Sequence, residues 1–572
     1  MARYGFERLS AQDAGFLWAE TPNQPMHVGA LAVFEIGPLQ REDGGVDIDR
    51  YREQAESRLH WIPRYRQKIE WTPVERWPVW VDDRNFDIAH HIRHIALPRP
   101  GTQAQLKEIA ARINSRRLDR RHALWEVWVI EGVEGGEQFA ILNKIHHCMI
   151  DGAAGADLSQ VLMSPSPKVE DNPSIPYMPR PAPTRTELLG DALSETVRRP
   201  LSLARDWIAQ ATSSPAQRAA TEMSSTTASD RFRAFSEMAG QVTSGASPTP
   251  INGELGPHRR LDWLTMPLDD VKELRRELGC TINDVVLATV TGALRRYLFR
   301  RRMDVRELDF RISAPVSTRR PEHDRIQGNH VSSWVVPLPL SVEDPIEQVE
   351  AIQETTEVLK SSNASLAVET IMDLAEWIPG PILERALPAI SSSGPVNAIV
   401  TNVPGPQFPL YLAGARLLAM YPVVPLIPGG GLGVALFSYE GKLCWGFNGD
   451  FELVPDLGSL VDDIAASFEA LRQATVDRYL GRRTAAPEAP ARPEPESVEV
   501  PVAEATPEAS DASDTSDAPA IDEAPSEVPK PIALVDEPGA GEVEEEDAVS
   551  EDPSIAAASE MEEVGISTAI GR

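Results

Sequence analysis

An α/β fold in two lobes, followed by a disordered acidic tail, is what this 572-residue sequence predicts. Three observations lead there. Strand and helix signals interleave over residues 1–165 and again over 257–483, the alternation expected of mixed α/β layers. Between them, 166–256 carries Pro167, Pro173, Pro176, Pro179, Pro181 and Pro183 and then a Ser/Thr/Ala/Gly-rich patch, so it reads as an interlobe linker, partly helical and partly mobile. From 484 to 572 the chain holds 24 acids against 3 bases and lacks aromatics. Such a segment cannot bury enough apolar surface to offset its ordering entropy.

Taken in order, Met26-His-Val-Gly-Ala-Leu-Ala-Val-Phe-Glu-Ile is rich in β-formers and bounded by Pro25 and Gly37, which predicts a strand. Residues 47–60 carry a helical pattern that stops before Pro63, and Thr102–Arg116 a second, with Leu106, Ile109, Ala110 and Ile113 at three- and four-residue spacing. Leu124–Ile130 and Gln138–Ile145 predict two strands joined at Gly132–Gly136, and 153–163 a helix after them. The second lobe offers helices at Leu268–Gly279 and Thr281–Phe299, a strand at Leu308–Pro315, another near Val331–Leu338 and a helix at 343–361. Strands near Ala398–Asn402, Gly431–Tyr439 and Lys442–Phe447 follow, the last two joined by the turn signal Glu440-Gly441. A helix over 456–480 closes the lobe.

Composition excludes several classes. The formal charge of −31 is about −21 tail, and the remainder shows no basic face or recognised module, so nucleic acid is not the expected partner. Cys148, Cys280 and Cys444 are too few and scattered for a disulfide framework and have no metal spacing. No metal and no bound cofactor are therefore expected. The first residues contain no signal-peptide apolar core, and no run of about 18 apolar residues suggests a membrane span. A cytoplasmic protein is the expectation.

The chemistry concentrates in Ile141-Leu-Asn-Lys-Ile-His146-His147-Cys-Met-Ile-Asp151-Gly152. A buried strand ends in two histidines, with a carboxylate four residues after the second and a glycine free for a tight turn. Neutral imidazole can take the proton from an alcohol as it attacks, which makes His147 the candidate general base. His146 supports it, Asp151 orients the turn, and Gly152 supplies backbone freedom. Asp151 is too near to be an independent base; a backbone amide or a distant arginine, such as Arg311, is its expected partner. His90-His91 has no following Asp-Gly and reads as structural.

This pattern resembles the HHxxxDG signature of the wax ester synthase/diacylglycerol acyltransferase family. Other stations resemble it in order: Leu9-Ser-Ala-Gln-Asp13-Ala-Gly-Phe16-Leu17, Met26-His27-Val28-Gly29, Ala123-Leu124-Trp125-Glu126 (alanine where the family has proline), Asn252-Gly253 with Arg259-Arg260, Asn283-Asp284, and Asn402-Val403-Pro404-Gly405-Pro406. The resemblance spans residues 8–480. It implies two chloramphenicol-acetyltransferase-like lobes with a substrate tunnel at their interface. It also implies His147 as general base, a fatty acyl-CoA donor as co-substrate, and a diacylglycerol or long-chain alcohol acceptor, with direct transfer in a ternary complex. Peripheral contact with the inner face of a membrane or with lipid droplets would suit such substrates.

Asn283 and Asp284 open a helix, where such residues are ordinary caps, or they lend active-site support from the second lobe. Asn402 fixes a turn or donates to the developing oxyanion. The Pro428–Gly433 loop lacks the lysine of a phosphate loop and predicts close backbone packing. Trp377–Pro388 is expected in the core, with an apolar lip on a lipid surface as its alternative. Two rival functions stay open: a carrier-dependent condensation domain, and a catalytically silent lipid-surface protein.

Overall fold

A computed structural model describes residues 5–149, 161–169, 174–194, 245–317, 331–361, 381–382, 385 and 396–485. All but the first two residues of the acidic tail, most of the linker, residues 150–160 and most of Trp377–Pro388 fall outside this set.

The first lobe opens with β1 (Phe6–Arg8) and α1 (Ala11–Ala19), which starts where the Ser10 hydroxyl accepts the Asp13 amide. Next come β2 (His27–Glu35), α2 (Ile48–Arg58), the β3–β4 hairpin (Gln67–Trp71, Pro78–Asp82) and the single turn α3 (Ile88–His91) leading into β5 (Ile92–Ala96). Helix α4 (Gln103–Asn114) begins in a capping box between Thr102 and Gln105. Strands β6 (Trp125–Val133) and β7 (Gln138–His146) follow, and a 3₁₀ turn holds His147–Met149. A short β8 (Met163–Ser164) completes this part.

The second lobe runs β9 (Arg259–Pro267), α5 (Leu268–Leu278), α6 (Ile282–Arg300), β10 (Phe310–Ser317), β11 (Val331–Leu338), α7 (Pro345–Ser361) and β12 (Ala398–Val403). Then come β13 (Tyr411–Leu412), β14 (Ala415–Val423), the β15–β16 hairpin (Leu432–Tyr439, Lys442–Asp450) and α8 (Leu457–Ala485). Glu440 (φ 43°) and Gly441 (φ 74°) make the left-handed two-residue turn that the sequence signalled.

Three sheets result: β1-β4-β3, a seven-stranded β5-β6-β7-β2-β14-β13-β8, and a six-stranded β11-β10-β12-β15-β16-β9. Strands β13 and β14 lie between the second-lobe elements β12 and β15 in sequence, yet β14 pairs antiparallel with β2 of the first sheet. A division into contiguous segments places them in the second lobe. Pro422 inside β14 hides the strand from sequence reading, because a proline cannot donate to a ladder. The two sheets also approach closely there: a side chain at Gly446 of β16 would run into the Pro422 carbonyl oxygen.

Alternation along β7 divides the first sheet's two faces. Phe139, Ile141 and Ile145 join the core with α1 and α2, whereas Ala140 and Leu142 pack with Leu106, Ala110 and Ile113 of α4. That second cluster also takes in Leu261 of β9, so α4 lies against both lobes. A third core fills the second lobe between its sheet and α5–α8. No helix among the described residues is long and apolar enough to cross a membrane.

Gly29 shows how tightly β2 and β7 are joined. A methyl group there would strike the Asn143 carbonyl oxygen, while the Asn143 side chain accepts the Ala30 amide. Backbone can yield only by separating the two strands. Gly29→Ala is expected to cost at least about 2 kcal/mol, read by urea denaturation; an unchanged midpoint would show that the strands have room.

Candidate active site

His146 is the last residue of β7, paired across the ladder with His27 of β2. Its amide donates to the Leu124 carbonyl at 2.9 Å, and the His147 amide donates to the Met26 carbonyl at 2.8 Å. Both neighbouring strands therefore grip the backbone where the histidines emerge. The 3₁₀ turn that follows aims His147 toward α1. There its imidazole stacks on Phe16 with ring centroids 3.9 Å apart and planes 21° from parallel.

His147 is half-buried, not sealed. Its Nδ1 is buried and without a hydrogen-bond partner. Loss of water around the ring pulls its pKa down to about 4, with its own backbone partly opposing. At neutral pH the ring is uncharged.

His146 is fully buried and serves differently. Its Nδ1 accepts the Cys148 amide at 3.2 Å and lies 3.0 Å from Cys148 Sγ. The proton is thereby assigned to Nε2, which lies 3.7 Å from Glu20 Oε1. Glu20 in turn accepts the Met26 amide at 3.3 Å and pairs with Arg120 at 2.8 Å. Burial, then the positive charge of Arg120, holds the His146 pKa well below the ordinary imidazole range. Glu20, Arg120 and Phe16 were not predicted as site residues. Phe16 stands inside the Leu9–Leu17 station, and Glu20 three residues beyond that station, yet nothing in the sequence joins either to His146 or His147.

Behind the histidines, His27 Nε2 donates to Asn114 Oδ1 at 2.8 Å, and burial lowers its pKa to about 3. Lys144 is buried and donates to the carbonyls of Ile113 (3.1 Å) and Arg116 (2.7 Å) at the end of α4. A cation suits that helix end. Burial nonetheless lowers the Lys144 pKa to about 8. Of the other histidine pair, His91 Nδ1 donates to the Trp125 carbonyl at 2.8 Å, and the His90 ring lies against that of His122 with centroids 3.9 Å apart.

Asp151 and Gly152 lie outside the described residues. Arg311, the expected partner of Asp151, forms an ion pair with Asp309, and its amide donates to Asn397 Oδ1 at 2.8 Å. In the second lobe the helix-cap reading holds for Asp284. Its carboxylate accepts the Thr281 amide and hydroxyl, both at 2.8 Å, and the Thr356 hydroxyl at 3.3 Å. Asn402 does more than fix a turn: its Nδ2 donates to Asn283 Oδ1 at 2.9 Å, and both line a cavity of about 180 Å³ with Trp334 and Lys360. Gly405 belongs to packing, because a side chain there would collide with Phe437. Asn252 ties the glycine-rich loop down by donating to the carbonyls of Asn397 (3.1 Å) and Gly429 (3.0 Å).

The buried neutral histidines fix how stability depends on pH. His27 (pKa about 3), His91 (about 4) and His146 stay uncharged when folded, but each takes a proton near pH 6.5 when unfolded. Stability is thus present in full above about pH 6.5 and falls as the solution is acidified toward pH 4. Each contributes a slope of at most about 1.4 kcal/mol per pH unit. Urea midpoints at pH 7.5 and 5.0 check this; equal midpoints would mean the rings titrate normally.

Comparison with known proteins identifies the family. The profile of the wax ester synthase/diacylglycerol acyltransferase catalytic domain matches residues 9–286, and that of the WS/DGAT C-terminal domain matches 327–472. A "probable" diacylglycerol O-acyltransferase of Mycobacterium tuberculosis H37Rv is 32% identical over 484 residues, covering 84% of this chain and 98% of that protein. A relative from strain CDC 1551, provisionally named for the same activity, is 33% identical over 484 residues, covering 83% and 92%. Among solved structures, the wax ester synthase/diacylglycerol acyltransferase of Marinobacter aquaeolei VT8 superposes with a TM-score of 0.58 at 24% identity, covering 82% of this chain and 99% of that one. The TRI3 trichothecene 15-O-acetyltransferase of Fusarium sporotrichioides shares the fold at a TM-score of 0.52 and 12% identity, covering 82% and 95%. The chain is an acyltransferase and belongs to the wax ester synthase/diacylglycerol acyltransferase family.

Proposed function

We propose that this enzyme transfers a long-chain acyl group from acyl-CoA to diacylglycerol, forming triacylglycerol, with His147 as general base. The observation that supports this most is the His147 ring itself: uncharged at neutral pH, half-open, and held against Phe16 at the end of β7. Because Nδ1 is buried, Nε2 is assigned as the basic atom. It takes the acceptor's hydroxyl proton as the oxygen attacks the thioester carbonyl. The C–O bond forms, the C–S bond breaks, and the imidazolium returns the proton to the leaving thiolate, giving ester and free CoA. Donor and acceptor are held together, so proximity supplies part of the rate and no acyl-enzyme is needed.

His146 keeps the turn in place through Cys148 and Glu20, and Asp151 is assigned the orienting role in the motif. Asn283, Asp284 and Asn402 support the site from the second lobe. Diacylglycerol is insoluble, so the enzyme works from the cytoplasm at a membrane or droplet surface. Long-chain alcohols are the second acceptor class, favoured by the double name of the family profile.

Radiolabelled palmitoyl-CoA offered with diolein or hexadecanol tests the reading. Label in triacylglycerol supports it, label in wax ester alone moves the acceptor to alcohols, and no ester from either overturns it. A pKa near 4 at His147 also sets the acid limb: kcat/KM should stay level from pH 8 to 6. A fall centred near 6.5 would show a solvated imidazole instead.

A further inference from the structure

Helix α4 and strand β9 bound a cavity of about 840 Å³ where the two lobes meet, also lined by Phe451 and the start of α8. Its charges do not cancel. Lys107 pairs with Asp262, Arg112 with Glu108, and Arg259 with Asp450, but Arg116 and Arg260 have no carboxylate within ion-pairing distance among the described residues. Arg260 Nε is buried without a hydrogen-bond partner. A guanidinium nitrogen denied both water and an acceptor is costly to keep unless a ligand supplies the acceptor.

The same wall carries a flat apolar surface. The Arg260 guanidinium lies 3.9 Å from the Phe451 ring centroid, the His258 ring meets Phe451 nearly edge-on at 6.1 Å, and Phe451 is 44% exposed. Aromatic rings of this kind stack nucleobases, and unpaired guanidiniums take phosphoryl oxygens. The volume falls in the range of small-ligand sites. A lipid headgroup would use the cations but leave the ring platform idle.

The cavity shares its frame with the histidines. The Arg259 amide donates to Ser115 Oγ at 3.0 Å, and its side chain reaches the Asn23 carbonyl. Ser115 directly follows Asn114, the last residue of α4, which holds His27, and Asn23 lies three residues before Met26, which holds the His147 amide.

We propose that this cavity is the seat for a phosphorylated adenine nucleotide, with Phe451 and Arg260 against the base and Arg116 and Arg260 on phosphate. Resting on the reading of acyl-CoA as donor, it holds the nucleotide end of that donor while the thioester arm reaches His147. Arg116 and Arg260 are binding residues here, outside the chemistry.

The full chain is titrated calorimetrically with CoA, 3′-dephospho-CoA and 3′,5′-ADP, and palmitoyl-CoA kinetics are measured in parallel. Arg116→Ala/Arg260→Ala is expected to bind CoA at least about tenfold more weakly. The palmitoyl-CoA KM should rise by the same factor, with kcat and the diolein KM within about twofold. The wild type should prefer CoA to 3′-dephospho-CoA by about tenfold, and the double variant should lose that preference. Phe451→Ala should weaken 3′,5′-ADP, and Arg116→Lys/Arg260→Lys should recover part of the loss. Unchanged CoA binding in the double variant overturns the proposal. So does retained CoA binding with lost binding to phosphatidylglycerol vesicles, which would make the anion a lipid headgroup. CoA binding without turnover in the wild type would instead remove the acyl-transfer reading and leave the cavity's assignment standing.

Discussion

His147→Ala is expected to lower turnover by at least about 10², the range of a positioned general base, while the chain stays folded. The backbone at that position is held by the Met26 carbonyl and the Leu124–His146 bond, neither of which needs the imidazole. What disappears is the group that accepts the hydroxyl proton, and no neighbour can replace it. His146 is fully buried with Nδ1 committed to Cys148, and the Cys148 thiol is itself buried, its pKa pushed well above the ordinary thiol range by loss of water. His147→Gln keeps much of the contact area on Phe16 and should be equally inactive, which separates chemistry from packing. Circular dichroism melts together with single-turnover rates are the measurement. A folded variant retaining more than a tenth of wild-type turnover would remove His147 as the base.

Asp450→Ala is expected to destabilise the protein by about 3–5 kcal/mol, the cost of leaving a buried charge uncompensated. Asp450 is fully buried beside Arg259, which is 3% exposed at its side chain. One carboxylate oxygen accepts the Gly256 amide at 2.8 Å and Arg259 Nη1 at 3.2 Å; the other accepts the amides of Glu452 and Leu453 at 3.0 and 3.1 Å. Arg259 also grips the Asn23 carbonyl across the lobe boundary, so its release loosens the seam beside His27. Pairing the change with Arg259→Met removes the orphaned cation and should recover part of the loss. Urea denaturation decides the matter. A change below about 1 kcal/mol in the single variant would mean that water already reaches this pair.

Much of the scaffold is legible from neighbours along the chain. The helix from Thr102 is read from apolar residues at three- and four-residue spacing and the Glu440-Gly441 turn from its dipeptide, because the hydrogen bonds that fix them close within one turn. Strand β14 escapes that logic. Its proline argues against a strand, and only pairing with β2, nearly 400 residues earlier, makes it one. The short β3–β4 hairpin and β5 likewise carry too little periodicity to stand out.

The candidate site divides along the same line. Sequence alone establishes two histidines at the end of an apolar strand with Asp151 and Gly152 following, since that spacing is a property of adjacent residues. It also separates this pair from His90-His91, of which the structure seals His91 against Trp125. Tertiary structure alone decides that Phe16 faces His147, that Glu20 and Arg120 surround His146, that Asn283 meets Asn402, and that Arg116 and Arg260 share one cavity. These contacts join segments about 100 residues or more apart. Side-chain identity determines what each group can donate or accept, but the path of the backbone through both sheets determines which groups meet.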